Sequence, residues 1–492
     1  MSKFIIWFFC ILLTPNVFAQ KTDKDKTDET VQKSTIQGHI HFLASDELRG
    51  RDTGSPELKI AAKYLATTFQ RYGVQPVPGA NGNGYFQHVS LKKTQPASAA
   101  SLRFAEHNFE VKEDFLVLDG KNEKLEGKIV YLQNGLENDY KGKDVKGKIV
   151  FVHGGAEGNP QSMFKKIKIK KELAIQHGAL AVIEFYNSRK LPWNFLKGYL
   201  HKSQVQLQEK EELELPYLWL KDMDNTLVQE IETLQGQKVS IEIEGRVVEQ
   251  IQSSNIVGMV EGTDPKLKEE FIIYSAHYDH VGVGEPNAEG DSIFNGTRDN
   301  AIGTVTVLSA AENLAKFPTK RSALFILFTG EEKGLLGSKW YVEHPLLPLD
   351  KMVYCFNSDN GGYNDTSIAT IIGLNRTTAS DHIVKACETY ALKATDDPAP
   401  EQGLFDRSDN VNFALKGIPA PTFSLGFTAF DQEIMKYYHQ QSDNPDTVDY
   451  DYLYKFFRAY VYSCRLIGND PQTPFWKKGD KYYKAGKELY NQ

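Results

Sequence analysis

From Ser254 to Gly468 the sequence predicts an α/β domain built on a mainly parallel sheet with helices on both faces. Two observations predict it. Apolar, β-prone runs (Phe271–Ala276, Ser322–Phe328, Met352–Phe356) alternate with helical patterns such as Ala301–Ala315, the order expected of a parallel sheet with crossover helices. Each run also ends in acidic residues or histidines, often beside glycine, and open α/β sheets hold their ligands at the C-terminal ends of their strands.

The rest of the chain is read in order. Its 492 residues exceed one ordinary domain, and length alone suggests about three. Hydrophobic residues make up 41% and charged ones 25%, with a formal charge of −7; a sizeable core is available and no basic, aromatic-interleaved patch points to nucleic acid. Residues 1–19 read as a signal peptide, with Lys3 as n-region, Phe4–Leu13 as apolar core and Val17-Phe18-Ala19 as cleavage signal. The expected location is therefore periplasmic or secreted, with no stable membrane insertion after leader removal. Cys355, Cys387 and Cys464 would remain, too few for a disulfide scaffold and read mainly as buried thiols.

Residues 20–33 read as a disordered, mixed-charge linker. The N-terminal part of the main domain (34–104) holds a helix at Thr35–Leu43, a polar loop, and an amphipathic helix at Glu57–Tyr72 with Ile60, Tyr64, Leu65 and Phe69 facing inward. From 105 to 244 the character changes. Two Gly-Lys-Ile-Val repeats introduce strands, Phe164–His177 forms a lysine-rich helix closed by Gly178, and further strands follow at 179–185, 215–220 and 238–243. The five lysines from Lys165 to Lys171 read as a solvated helix face. Residues 245–470 form the core with all ligand candidates, and 471–492 a surface tail.

The acidic pair Glu331-Glu332 follows Ser322–Gly330 directly. One carboxylate can bind a metal while its neighbour moves protons, although adjacent acids opening a helix also complement its dipole. Other candidates are His277-Tyr-Asp279-His280, Arg298-Asp299-Asn300, Ser358-Asp359 and Tyr438-His439. His and carboxylate donors without Cys suit zinc in a hydrolytic site. His280 reads as a loop histidine.

Taken in order, His277-x-Asp279, Arg298-Asp299-Asn300, Gly330-Glu331-Glu332-x-Gly334, Ser358-Asp359 and Tyr438-His439 resemble the co-catalytic di-zinc aminopeptidases. That family includes aminopeptidase Y, glutamate carboxypeptidase II and plasma glutamate carboxypeptidase. Leu43–Arg51 is similar to its N-terminal loop, Arg407-Ser-Asp409 to a late loop, and 105–244 to an inserted protease-associated domain. Asn410 stands where the family often has histidine, a departure that bears on the substrate pocket.

The resemblance implies a three-layer zinc-peptidase domain on a mainly parallel mixed sheet, plus a β-rich α/β insert. It implies two Zn²⁺ bridged by Asp299, with His277 and Asp359 on one ion and Glu332 and His439 on the other. Glu331 would be the general base, Asp279 would orient His277, and Tyr438 would donate to the oxyanion. The expected activity is removal of N-terminal residues from peptides by a hydroxide held between the ions. A carboxypeptidase or dipeptidase on the same centre is the alternative. A receptor-like module without ligands, or a single-zinc cyclase, fits less well because the full donor set is present.

Overall fold

The computed structural model describes residues 21–154, 160–208 and 214–491; the leader read at 1–19 lies outside them. Two compact units account for the chain: residues 88–253, and everything before and after them. The separate unit is thus wider than the 105–244 read from composition, because the flanking strand residues carry no change of character.

In the main unit the sheet runs Lys393–Thr395, Ile368–Ile372, Thr422–Leu425, Met352–Ser358, Phe271–His277, Ser322–Phe328, and then Val247–Val260. The three central neighbours Met352–Ser358, Phe271–His277 and Ser322–Phe328 are parallel, while Val247–Val260 runs antiparallel to Ser322–Phe328. Both faces are covered, so every residue of Ser322–Phe328 is buried and its side chains alternate between two cores. Phe325 and Leu327 pack with Leu65, Phe69, Leu308 and Phe457 on one side. Leu324, Ile326 and Phe328 pack with Tyr341, Phe413 and Ile418 on the other. A strand buried on both faces reads as a continuous apolar run, as this one does. Three layers result. Among the described residues no helix is long and apolar enough to cross a membrane, and Cys355, Cys387 and Cys464 are buried free thiols.

Several expectations need correction. Residues 23–30 are a helix, capped by Thr22 in a capping box with Asp25. The linker reading failed because this helix is held by distant partners: Asp23 accepts from the buried Arg465 (2.9 and 2.7 Å) and from Asn469 (3.0 Å). In the helix Pro56–Tyr72 the buried face carries Leu58, Ala61, Leu65 and Phe69, whereas Ile60 is 54% exposed. The tail is not a surface segment either. Trp476 is 1% exposed, donates to Gly417 O at 2.8 Å and packs on Phe405 and Tyr482. Arg376 pairs with Asp480 at 2.6 Å in the same layer.

The 88–253 unit has its own sheet, in the order His107–Glu110, Ala99–Phe104, Lys238–Glu244, Glu123–Tyr131, Ile149–His153, Ala181–Tyr186, Tyr217–Lys221, Phe115–Asp119. Its centre is parallel and its edges antiparallel. The lysine-rich helix, Pro160–Gln176, is not solvated throughout. Lys170 is buried against Glu184 at 2.8 Å, and Glu184 also accepts from Tyr217 and Trp219. A buried charge is tolerated when it is paired and fully hydrogen-bonded.

Because Trp476 fills the second core, Trp476→Ala should cost about 3–5 kcal/mol. Denaturant unfolding at equilibrium measures it; a loss below about 0.5 kcal/mol, as for a surface substitution, would return the tail to the surface.

Candidate metal centre

Three neighbouring parallel strands deliver the site. His277 is the last residue of Phe271–His277, Glu331 and Glu332 follow Ser322–Phe328 after a turn at Gly330 (φ +70°), and Asp359 follows Met352–Ser358. Asp299 lies in the turn Thr297–Ile302 that opens the helix Gly303–Lys316, and His439 in the loop before Tyr450–Asn469. All five expected ligands and Glu331 meet at one sheet edge.

The spacing of donor atoms is informative. His277 Nε2 lies 3.3 Å from Asp299 Oδ1 and 3.3 Å from Asp359 Oδ1. His439 Nε2 lies 3.0 Å from Asp299 Oδ2 and 3.4 Å from Glu332 Oε2. Donors sharing a tetrahedral zinc ion, with bonds near 2.0–2.2 Å, sit about 3.3–3.5 Å apart. Asp299 turns one oxygen to each histidine, the disposition a bridging carboxylate needs. Two donor groups, His277/Glu331/Asp359 and His280/Asp299/Glu332/His439, each have ligand atoms within 4.8 Å of one another.

Charge points the same way. Burial opposes charging His277 and His439, yet the surrounding carboxylates outweigh it: His277 rises well above its ordinary value and His439 to about 10. Burial raises the Asp299 carboxyl, but the hydrogen bonds from His277 and His439 win and hold it well below the usual range. Burial, with Asp359, Glu332 and Asp409 nearby, pushes Glu331 well up although His277 opposes it. This pocket of acids is short of positive charge, which a bound cation would supply. The donor set therefore fits zinc.

Asp279 acts differently from the expectation. The group that accepts from His277 Nδ1 is its main-chain carbonyl (3.1 Å), two residues along the chain. Its carboxylate, 3.9 Å from that nitrogen, accepts instead from Thr53 Oγ1 (2.7 Å) and the Glu331 N–H (3.2 Å). It is fully buried, which raises its pKa.

Sequence reasoning missed three supports. His280 is buried with Nδ1 2.8 Å from Glu332 Oε1. Arg51, in the N-terminal loop, donates to the carbonyls of Leu43, Tyr278, Asn295 and Gly296; burial lowers its pKa to about 10 against the pull of nearby acids. Arg298 pairs with the buried Asp443 at 2.8 Å, donates to Thr447, and stacks on Tyr437 at 3.7 Å. The Arg298 main-chain N–H also donates to Asp443 (2.8 Å). The contiguity Arg298-Asp299 was a usable signal; the Arg51 contacts, remote in sequence, gave none.

A cavity of about 400 Å³ opens over the centre. His277, Asp299, Glu331, Glu332, Asp359 and His439 form its floor, with Tyr438 beside them, its ring stacked on His439 at 4.3 Å. Leu404, Phe427 and Phe430 give it apolar walls, and Arg407 lines it too. Asp409 points elsewhere: it accepts from Ser338 Oγ at 2.5 Å, and burial pushes it up to about 7.

Fold and site together define a metallopeptidase-type α/β domain. The profile of Peptidase family M28 matches residues 255–463, so this segment is similar to that family. Aminopeptidase YwaD of Bacillus subtilis (strain 168) is 29% identical over 228 residues, 45% of this chain and 47% of that protein. The vacuolar membrane protease of Saccharomyces cerevisiae (strain ATCC 204508 / S288c) is 32% identical over 127 residues, 24% of this chain and 12% of that protein. The chain thus spans about half the length of the first relative and far less of the second. The solved aminopeptidase from Aneurinibacillus sp. strain AM-1 has the same fold, with TM-score 0.56 and 19% identity over 92% of this chain and 97% of that one.

Replacing Arg298 leaves Asp443 buried and unpaired, which costs about 3–5 kcal/mol. Arg298→Ala should therefore lower stability by that amount, and Arg298→Lys should not restore it, since an ammonium lacks the planar fork. Urea unfolding of the two variants checks this; wild-type stability in Arg298→Lys would refute the forked clamp.

Proposed function

We propose that the chain is an exported zinc-dependent exopeptidase that removes N-terminal residues from peptides. The observation that carries this reading is Asp299 on the floor of one cavity, with Oδ1 3.3 Å from His277 Nε2 and Oδ2 3.0 Å from His439 Nε2, and with Glu331 in the same cavity. His277, Asp359 and Asp299 would hold one zinc ion; Asp299, Glu332 and His439 would hold the other. Zinc there supplies Lewis acidity and lowers the pKa of water. The export rests on the leader read from sequence, and the protease-associated domain on the resemblance of residues 105–244, which lie within the 88–253 unit.

Glu331 is the general base. Its carboxylate opens into the cavity, takes the proton of the attacking water and returns it to the leaving amine. Asp279 holds the Glu331 main chain through the N–H bond, so the base is fixed where its strand ends. Tyr438, on the cavity wall, donates its phenol proton in a hydrogen bond to the developing oxyanion. The apolar wall residues receive a side chain and displace water. Arg407 is the feature that favours the second reading, since one cation at the rim can hold a substrate carboxylate.

Two experiments test the reading. Glu331→Gln should keep wild-type zinc content and lose about 10²–10⁴-fold in turnover; unchanged turnover removes Glu331 from the mechanism. Peptides blocked at either end separate the two exopeptidase classes. Release from C-blocked but not N-blocked peptides, abolished by a chelator and restored by zinc, is expected, and the reverse pattern would establish the carboxypeptidase instead.

A further inference from the structure

We propose that His280 is a positioning residue that fixes Glu332 so that only one of its carboxylate oxygens faces Asp299 and His439. The inference rests on the two-ion reading above. His280 is fully buried. Its main-chain N–H donates to Arg51 O at 3.2 Å, which ties it to the N-terminal loop. Its ring meets the ring of His439 edge-on at 5.4 Å.

The polar contact of the ring is with Glu332. Nδ1 lies 2.8 Å from Oε1, while Nε2 has no hydrogen-bond partner among the described residues. An ionised carboxylate only accepts, so Nδ1 carries the hydrogen and donates. This contact is the shortest histidine–carboxylate separation at the centre, below the 3.0 Å between His439 and Asp299. Donors sharing a zinc ion stand about 3.3–3.5 Å apart, as His277 does from its two carboxylates. A separation of 2.8 Å instead falls within the range of a direct N–H···O hydrogen bond.

The two oxygens of Glu332 are thereby divided. Oε1 is engaged by His280, and Oε2 lies 3.4 Å from His439 Nε2, on the side of Asp299. A carboxylate so held would offer an ion one oxygen, Oε2. Gly296 makes the ring position available: a Cβ there would fall 2.5 Å from His280 Cδ2. Outer partners of this kind change metal affinity by about 10–100-fold when removed.

Zinc titration against a competing chelator, combined with zinc X-ray absorption, tests the proposal on wild type, His280→Ala and His280→Asn. Asparagine can place a donor near the position of Nδ1. Wild type should take up two ions. His280→Ala should bind one of them about 10–100-fold more weakly, and His280→Asn should recover most of that loss. The number of imidazoles per zinc should be equal in wild type and His280→Asn. Unchanged affinity in His280→Ala would overturn the positioning role, and so would a lower imidazole count in His280→Asn, which would make His280 a ligand. Should His280→Ala not fold, the affinity and imidazole count of His280→Asn decide alone. Fewer than two ions on the wild-type protein is a distinct result: it removes the two-ion reading itself.

Discussion

The rest of the main unit answers to one constraint, the gathering of several carboxylates at a single, largely buried sheet edge. Like charges brought this close in a low-dielectric pocket repel strongly, and burial alone would push them toward their protonated forms. The fold meets this with two histidines whose nitrogens face the acids at 3.0–3.4 Å. Asp299, between both histidines, is the joint of the arrangement, and its carboxyl is held well below the usual range by their hydrogen bonds against the opposing effect of burial.

Such a concentration of charge demands a stiff frame. Two forked guanidinium groups provide much of it. Arg51 gathers main-chain carbonyls from the loops before Asp299 and after His277, and Arg298 locks the turn that carries Asp299 to the loop that carries His439. The second lock matters because His439 sits at φ +52°, a region that L residues other than Gly, Asn or Asp enter at a cost of about 1–2 kcal/mol. A buried pair such as Arg298–Asp443 can add little net stability and still be costly to break by removing one partner. The arginines thus trade desolvation for placement of the metal donors.

Much of this was legible in the sequence, for identifiable reasons. Strands buried on both faces announce themselves as unbroken apolar runs, so Phe271–His277, Ser322–Phe328 and Met352–Ser358 could be placed, and with them the residues at their ends. The order of short motifs located the donor set. What stayed hidden depends on contacts remote in sequence. Nothing local shows that the charged segment 23–30 is a helix tied to Arg465, that Trp476 enters a core, or that Lys170 meets Glu184. His280 illustrates the same limit at the site: a histidine beside a motif looks like loop filler until Glu332, 52 residues away, is seen at its ring.

Glu331 and Glu332 show how one strand end assigns different chemistry to identical neighbours. Gly330 turns the backbone at φ +70°, and the two following side chains diverge. Glu332 is taken by two histidines, His280 on one oxygen and His439 near the other, and these bonds hold it ionised although burial and Asp299 oppose them. Glu331 receives no such bonds. It keeps a main-chain tether to Asp279 and shares its space with Asp359 and Asp409, so burial and like charge raise its proton affinity. A ligand must stay deprotonated to hold an ion, whereas a base must be able to accept a proton and give it up. The two environments push the neighbours in opposite directions, as the proposed division between ligand and base would require, and the difference follows from hydrogen bonding rather than from residue type.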